Sequence, residues 1–280
     1  MALVVLVWGT NVTVVKSALD AFSPPAFMAL RFALAALAMA GVLAVREGLP
    51  RLSTGLFWRL VALGLVGNTA YQVCFVLGVA RTTAANAGLL VAATPVLVTL
   101  GGAWLGHERL TRPLLGGVAL GLAGLLLVVA ARGPSLGPDT LAGDALILGG
   151  SACWAAYTLG VRALGDALSP LQVTALAMLT GAPPLVLLGL PALLATPWAA
   201  VPAAAWAGLL SSALLALVVC YVLWAASVRA VGGSRTSVYN CCIPLVATAT
   251  AWAVRGEQPT ALQALGAGLI LGGVLLTRRR

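Results

Sequence analysis

The chain has 280 residues, 61% of them hydrophobic and only 8% charged, with a mean hydropathy of +1.05. Soluble domains carry about 25% charged residues, and a soluble core of this length could not hide so much apolar surface, so the chain is read as an integral membrane protein. Its net charge of +9 comes from 16 basic and 7 acidic residues that sit at the ends of apolar stretches, not in one patch. That placement fits the positive-inside rule and argues against a nucleic-acid surface.

A membrane helix needs about 20 apolar residues. That rule predicts spans at 2–19, 26–45, 56–79, 84–105, 113–131, 143–164, 171–195, 203–226, 233–254 and 260–277. A membrane barrel would instead alternate apolar and polar residues, and no such alternation runs along the chain. The first apolar run has neither a basic leader nor a small-residue cleavage site, so it is read as the first span and not a signal peptide. Breaks between spans carry helix-stopping chemistry, as at Ser23-Pro24-Pro25, Gly48-Leu49-Pro50, Gly137-Pro138, Ser169-Pro170 and Thr196-Pro197. The least distinct boundaries follow Arg81 and surround Gly232-Gly233. With the N-terminus inside, the inner ends hold Arg46, Arg51, Arg59, Arg109, Arg112, Arg162, Arg229, Arg235 and Arg278 to Arg280. The outer ends hold only Lys16, Arg81, Arg132 and Arg255, so both termini are predicted to be cytoplasmic.

The chain repeats itself. Trp8, Asn11, Lys16, Asp20, Ser23 and Pro24 recur 146 positions on as Trp154, Tyr157, Arg162, Asp166, Ser169 and Pro170. Further along the offset is 149: Gln72 matches Tyr221, Phe75 matches Trp224, Pro95 matches Pro244, Glu108 matches Glu257 and Gly124 matches Gly273. Residues 1–131 and 143–280 therefore each hold five spans. Five is odd, so the second half crosses the membrane in the opposite sense. The expected fold is all-α, with ten transmembrane helices as two inverted five-helix repeats around a central cavity.

In this order the motifs resemble the EamA-type family of the drug/metabolite transporter superfamily. They are Trp8-Gly9, Asn11, Lys16, Pro24, Arg31-Phe32, Arg81-Thr82-Thr83-Ala84, Pro95 and Gly106-His107-Glu108-Arg109-Leu110-Thr111. Trp154, Pro244, Gly256-Glu257 and the glycines of the last span follow in the second half. Gly232-Gly233-Ser234 departs from the Arg81 to Ala84 pattern, and His107 interrupts the Gly-Glu pair. The resemblance implies alternating access and export of amino acids or similar metabolites, with the aromatic-amino-acid exporters as the nearest comparison. A bacterial inner membrane is the implied location.

Two aromatic-polar patterns share helix faces by their three-residue spacing. One is Trp8/Asn11 and its copy Trp154/Tyr157; the other is Gln72/Phe75 and its copy Tyr221/Trp224. Together with Tyr71, Tyr239 and Asn240 they form the expected substrate site, because a cavity for a small organic molecule needs apolar bulk and a few orienting polar groups. An interfacial aromatic belt is the competing reading of the tryptophans. Pro95 and Pro244 fall mid-span and are expected to kink gating helices by freeing the carbonyls of Val91 and Asn240. Arg31 has no partner in the repeat. It is expected to snorkel or pair with Asp20, and a charge contact with substrate is the other option. Lys16 and Arg162 are expected to be snorkelling anchors. Glu108 and Glu257 are expected to favour the starts of the following helices.

Gly102/Gly106, Gly117/Gly121 and Gly268/Gly272 have the spacing of close helix contacts, either scaffold or homodimer. The expected partners are thus a small-molecule substrate, the lipid bilayer and a second copy. The five cysteines show no metal-ligand spacing, and no cofactor or metal is expected. No acidic residue falls in the middle of a predicted span, which points to uniport or exchange over proton coupling. An intramembrane enzyme would want a Ser–His pair or paired carboxylates within the spans, and the sequence offers neither.

Overall fold

The computed structural model describes residues 1–91, 93–105, 112–130, 137–256 and 258–277. Described elements are helical throughout. They are α1 (Ala2–Ala18), α2 (Pro24–Arg46), α3 (Thr54–Arg81), α4 in two arms (Ala84–Val91 and Thr94–Trp104) and α5 (Arg112–Ala130). Then come α6 (Pro138–Ala163), α7 (Pro170–Ala195), α8 (Ala203–Val231), α9 in pieces (Gly233–Ser237, a 3-10 turn Val238–Cys242, and Ile243–Arg255) and α10 (Ala261–Thr277). Five stretches are long and apolar enough to cross a membrane: Pro24–Arg46, Thr54–Arg81, Asn86–Trp104, Pro170–Ala195 and Ala203–Val231. The protein is an all-helical integral membrane protein.

Local chemistry sets the helix starts. Pro24 and Pro25 open α2, where a missing amide hydrogen costs nothing. Ser169 and Gln172 form a reciprocal capping box at the start of α7, each side chain taking the other's backbone N–H at 3.0 Å. The two indistinct boundaries are real breaks. Thr82 is extended after Arg81, and Gly232 takes φ +90°, a conformation that disfavours any side chain. Helices α6 and α8 outrun their predicted spans by a turn or more, because apolar periodicity does not register the polar turn residues that still continue a helix.

Two features were not foreseen. Leu65–Ala70 in α3 and Ser212–Val219 in α8 are π-helical turns at corresponding places in the two halves. Such turns are rare and concentrate at functional sites. The prolines also behave differently from expectation. Pro95 and Pro244 do not kink continuous helices; each sits in the first two positions of a new helical arm, after the chain has already left the α-helix. Thr94 Oγ1 donates to the Val91 carbonyl at 2.7 Å, so that freed acceptor is satisfied.

Helix α5 lies along α10, α2 along α7, α3 along α6, and α1 along α9. Glycines make the first of these contacts close. A side chain at Gly273 would begin 2.4 Å from the Gly117 carbonyl oxygen and 2.8 Å from the Gly121 amide. Gly117 and Gly121 are thus used inside the chain, whereas Gly268 and Gly272 face open space. Gly106, His107, Glu108 and Glu257 lie outside the described residues.

Replacing Gly273 by leucine should therefore separate α5 from α10. The expected cost is about 1–3 kcal/mol, the usual range for overpacking, read as a lower unfolding temperature in detergent. Gly268→Leu should leave that temperature unchanged.

Candidate functional site

The two halves meet at a central chamber between α1, α2, α3, α4, α6, α8 and α9. Its walls include Trp8, Asn11, Arg31, Tyr71, Gln72, Phe75, Trp154, Tyr221 and Asn240, with Thr94, Ile147 and Ser151 beside them. Most of the side chains picked out by the sequence thus converge. Three do not reach the chamber. Trp224 and Tyr157 are buried behind its wall, and Tyr239 is 46% exposed on the outside of the bundle. Tyr239 points away because the 3-10 turn that carries it places Asn240 inward instead.

The aromatic side chains pack on one another. Trp154 is the hub, with ring centres 5.4 Å from Trp8, 5.2 Å from Tyr71, 5.0 Å from Tyr157, 4.9 Å from Tyr221 and 5.6 Å from Trp224. Edge-to-face and tilted pairs of this kind contribute about 0.5–1.5 kcal/mol each beyond burial. The belt reading fails for Trp8, Trp154 and Trp224, which pack inside the bundle, whereas Trp58, Trp104 and Trp252 face outward. So tight is the cluster that the chamber encloses only about 40 Å³. About 10–15 Å³ of such space holds one water, so this space suits a few waters and not an amino acid.

Each π turn holds a side chain from the opposite half. In α8, the Ala216 carbonyl accepts from Trp8 Nε1 at 2.9 Å, and Ser212 Oγ donates to Asn11 Oδ1 at 2.5 Å. In α3, the ring of Tyr157 lies against Gly67, where a side chain would begin 2.2 Å from the ring. Asn11 and Tyr157 hold matching places in the sequence pattern, and each meets a π turn of the other half. Sequence reasoning found Asn11 and Tyr157 but not Ser212 or Gly67, because a π turn has no compositional signature here.

A hydrogen-bonded chain crosses the chamber. Arg31 Nη1 donates to Gln72 Oε1 at 3.1 Å, and Gln72 Nε2 donates to Tyr221 Oη at 3.2 Å. Arg31 is only 2% exposed and its guanidinium lies 5.8 Å from the centre of the Phe27 ring. The expected pairing with Asp20 is not formed: Asp20 binds Arg255 at 2.8 Å instead. Arg31 lies two turns into α2 and cannot reach the helix end where Asp20 sits. Lys16 is held within the bundle. Its ammonium donates to the carbonyls of Val79 and Ala80 at the end of α3, a favourable place for a cation.

Among the described residues, one carboxylate is buried within a helix. Asp144 lies in α6 and accepts from Thr82 Oγ1 at 2.8 Å. Its predicted span began at residue 143, which put it at a membrane edge. The helix begins at Pro138, which puts it more than a turn inside.

A helical membrane protein with a polar-aromatic chamber at the junction of its halves has the build of a carrier. The EamA-like transporter family matches residues 1–130 and 141–279, and the chain belongs to that family. It is 28% identical to an uncharacterized transporter of Bacillus subtilis, over 95% of this chain and 88% of that protein. It is 30% identical to a probable terminal-alkyne amino-acid exporter of Streptantibioticus cattleyicolor, over 100% of this chain and 92% of that one. A probable amino-acid metabolite efflux pump of Salmonella typhimurium is 27% identical, over 98% and 92% of the two chains. A crystal structure covering 99% of this chain and 94% of its own superposes with a TM-score of 0.72 at 21% identity, a likeness of fold. The protein is a membrane transporter of the EamA type and not an enzyme.

Trp8→Phe keeps the ring contacts but leaves the Ala216 carbonyl without its donor. The expected loss is about 1 kcal/mol, measured by thermal unfolding of the purified protein.

Proposed function

We propose that this transporter exports small neutral or zwitterionic metabolites, first among them amino acids with aromatic or other hydrophobic side chains, by alternating access. The observation that carries this reading is the chamber itself. It joins rings from both halves to a few polar groups, which is what an amphipathic solute of amino-acid size requires. The names of the Streptantibioticus and Salmonella relatives point the same way.

The proposed architecture is ten membrane helices in two inverted five-helix repeats. It is supported by the way the helices pair. Where α3 lies along α6, its repeat mate α8 lies along α1; where α1 lies along α9, α6 lies along α4. The pairs α2/α7, α4/α9 and α5/α10 each join two repeat mates. The matched π turns and matched breaks before Pro95 and Pro244 add to this. Cytoplasmic termini in a bacterial inner membrane follow from the basic residues, and Gly268/Gly272 is the glycine face left for a homodimer.

Uniport or exchange is the proposed mode, since among the described residues lining the chamber none is a carboxylate. Asp144 supports a second reading, proton coupling, because it is buried on the α6 face that carries Ile147 and Ser151 toward the chamber.

Counterflow of labelled amino acids in proteoliposomes tests the export reading. Trp154→Ala and Tyr221→Ala should each lower flux about tenfold, the effect of losing about 1.4 kcal/mol of ring contact with the solute. Unchanged flux in both variants would remove the chamber as the substrate site. Uptake driven solely by an imposed pH gradient, and abolished by Asp144→Asn, would replace exchange with proton coupling.

A further inference from the structure

We propose that Arg31 is a carboxylate anchor, so that the substrate class is a small monocarboxylate with an apolar body, amino acids included. This rests on the reading of the central chamber as the substrate site. A charge inside a membrane protein is costly unless something nearby compensates it, and such residues pair or mark a solute path. Arg31 lines the chamber and is almost fully buried. Within the protein it has a neutral amide from Gln72 and the face of Phe27, and, among the described residues, no carboxylate forms an ion pair with it. Its Nε has no hydrogen-bond partner there either.

The remaining polar atoms fit such a ligand. Ser151 Oγ and Asn240 Oδ1 line the same chamber, are buried, and have no partner among the described residues. A carboxylate on the guanidinium supplies the missing negative charge. Asn240 Oδ1 can then accept a hydrogen from an ammonium group, and the rings of Trp8, Tyr71 and Trp154 cover the apolar body. Gln72 tunes this anchor, because its amide oxygen holds the guanidinium while its amide nitrogen is tied to Tyr221.

The decisive comparison uses three ligands that share one ring: phenylalanine, 3-phenylpropionate and 2-phenylethylamine. Binding to the full-length protein in detergent is read by thermal stabilisation. Phenylalanine and phenylpropionate should stabilise the wild type, and the amine should not. Arg31→Gln should weaken both carboxylates by about tenfold or more, the worth of a lost charge-assisted hydrogen bond. Gln72→Glu guards against simple misfolding. It places a carboxylate beside Arg31 at nearly constant shape, so it should keep or raise the unfolding temperature while weakening both ligands in the same way. Arg31→Lys should retain the carboxylate preference in part. Equal stabilisation of the wild type by the amine, or an undiminished carboxylate preference in both Arg31→Gln and Gln72→Glu, would overturn the proposal. Counterflow separates this from the export reading. Absent flux with carboxylate-selective binding sinks export alone, and intact flux with unselective binding sinks the anchor alone.

Discussion

The chain from Arg31 through Gln72 to Tyr221 is the constraint around which the centre of this protein is arranged. It ties α2, α3 and α8 together by two hydrogen bonds of 3.1 and 3.2 Å in an otherwise apolar bundle. A guanidinium that deep cannot be left facing lipid, because no water is there to solvate it. The helices that carry it must therefore turn their polar faces to one another. Their opposite faces are then free to be leucine, valine and tryptophan. That requirement helps to gather Gln72 and Tyr221 around Arg31 at the centre.

Irregular backbone occurs where it meets this centre. Both π turns and both helix breaks lie on helices that line the chamber, where side chains of the bundle take up part of the freed backbone. The π turn of α8 receives Trp8 and Asn11; the break in α4 is closed by Thr94 on Val91. Helix α2 lines the chamber as a regular helix, and α7, outside it, continues through Pro183, Pro184 and Pro191. Regular helix satisfies its own backbone in lipid, so departures from it are confined to places where protein groups can take over.

Much of this was legible in the sequence. Helix positions followed from apolar run length, and the expectation of a repeat came from Trp8 to Pro24 and its copy. Trp8, Asn11, Gln72, Trp154 and Tyr221 reached the chamber as their spacing implied. Other residues were opaque for physical reasons. A three-residue spacing places Tyr157 beside Trp154 but cannot show that the π turn at Gly67 draws its ring outward. Proline marks a break without revealing whether the helix bends or stops. Arg31 looked like an anchor because its depth is fixed by the helix start at Pro24 and by Gln72, a residue 41 positions away. Asp144 looked peripheral because its helix begins earlier than hydropathy alone suggests.

If access alternates as proposed above, the chamber needs a closure at each end, neither of them permanent. Two groups of polar contacts have that character. One joins Asp20 to Arg255, Lys16 to the end of α3, and Asp144 to Thr82. The other joins Asp166 to Arg229, Arg229 to the Leu168 carbonyl, and Glu47 to Ser169. The Asp20 and Asp166 side chains are 64% and 96% exposed, so each ion pair is worth about 0–1 kcal/mol. Contacts of that strength hold a closure without locking it. The ring cluster around Trp154 is the larger barrier, since several pairs of about 1 kcal/mol must part together before a solute enters. A solute that offers its own ring to Trp154 and its own carboxylate to Arg31 would restore both kinds of contact. The energy of opening would then depend on what is being carried, and substrate choice and conformational change would share the same few residues.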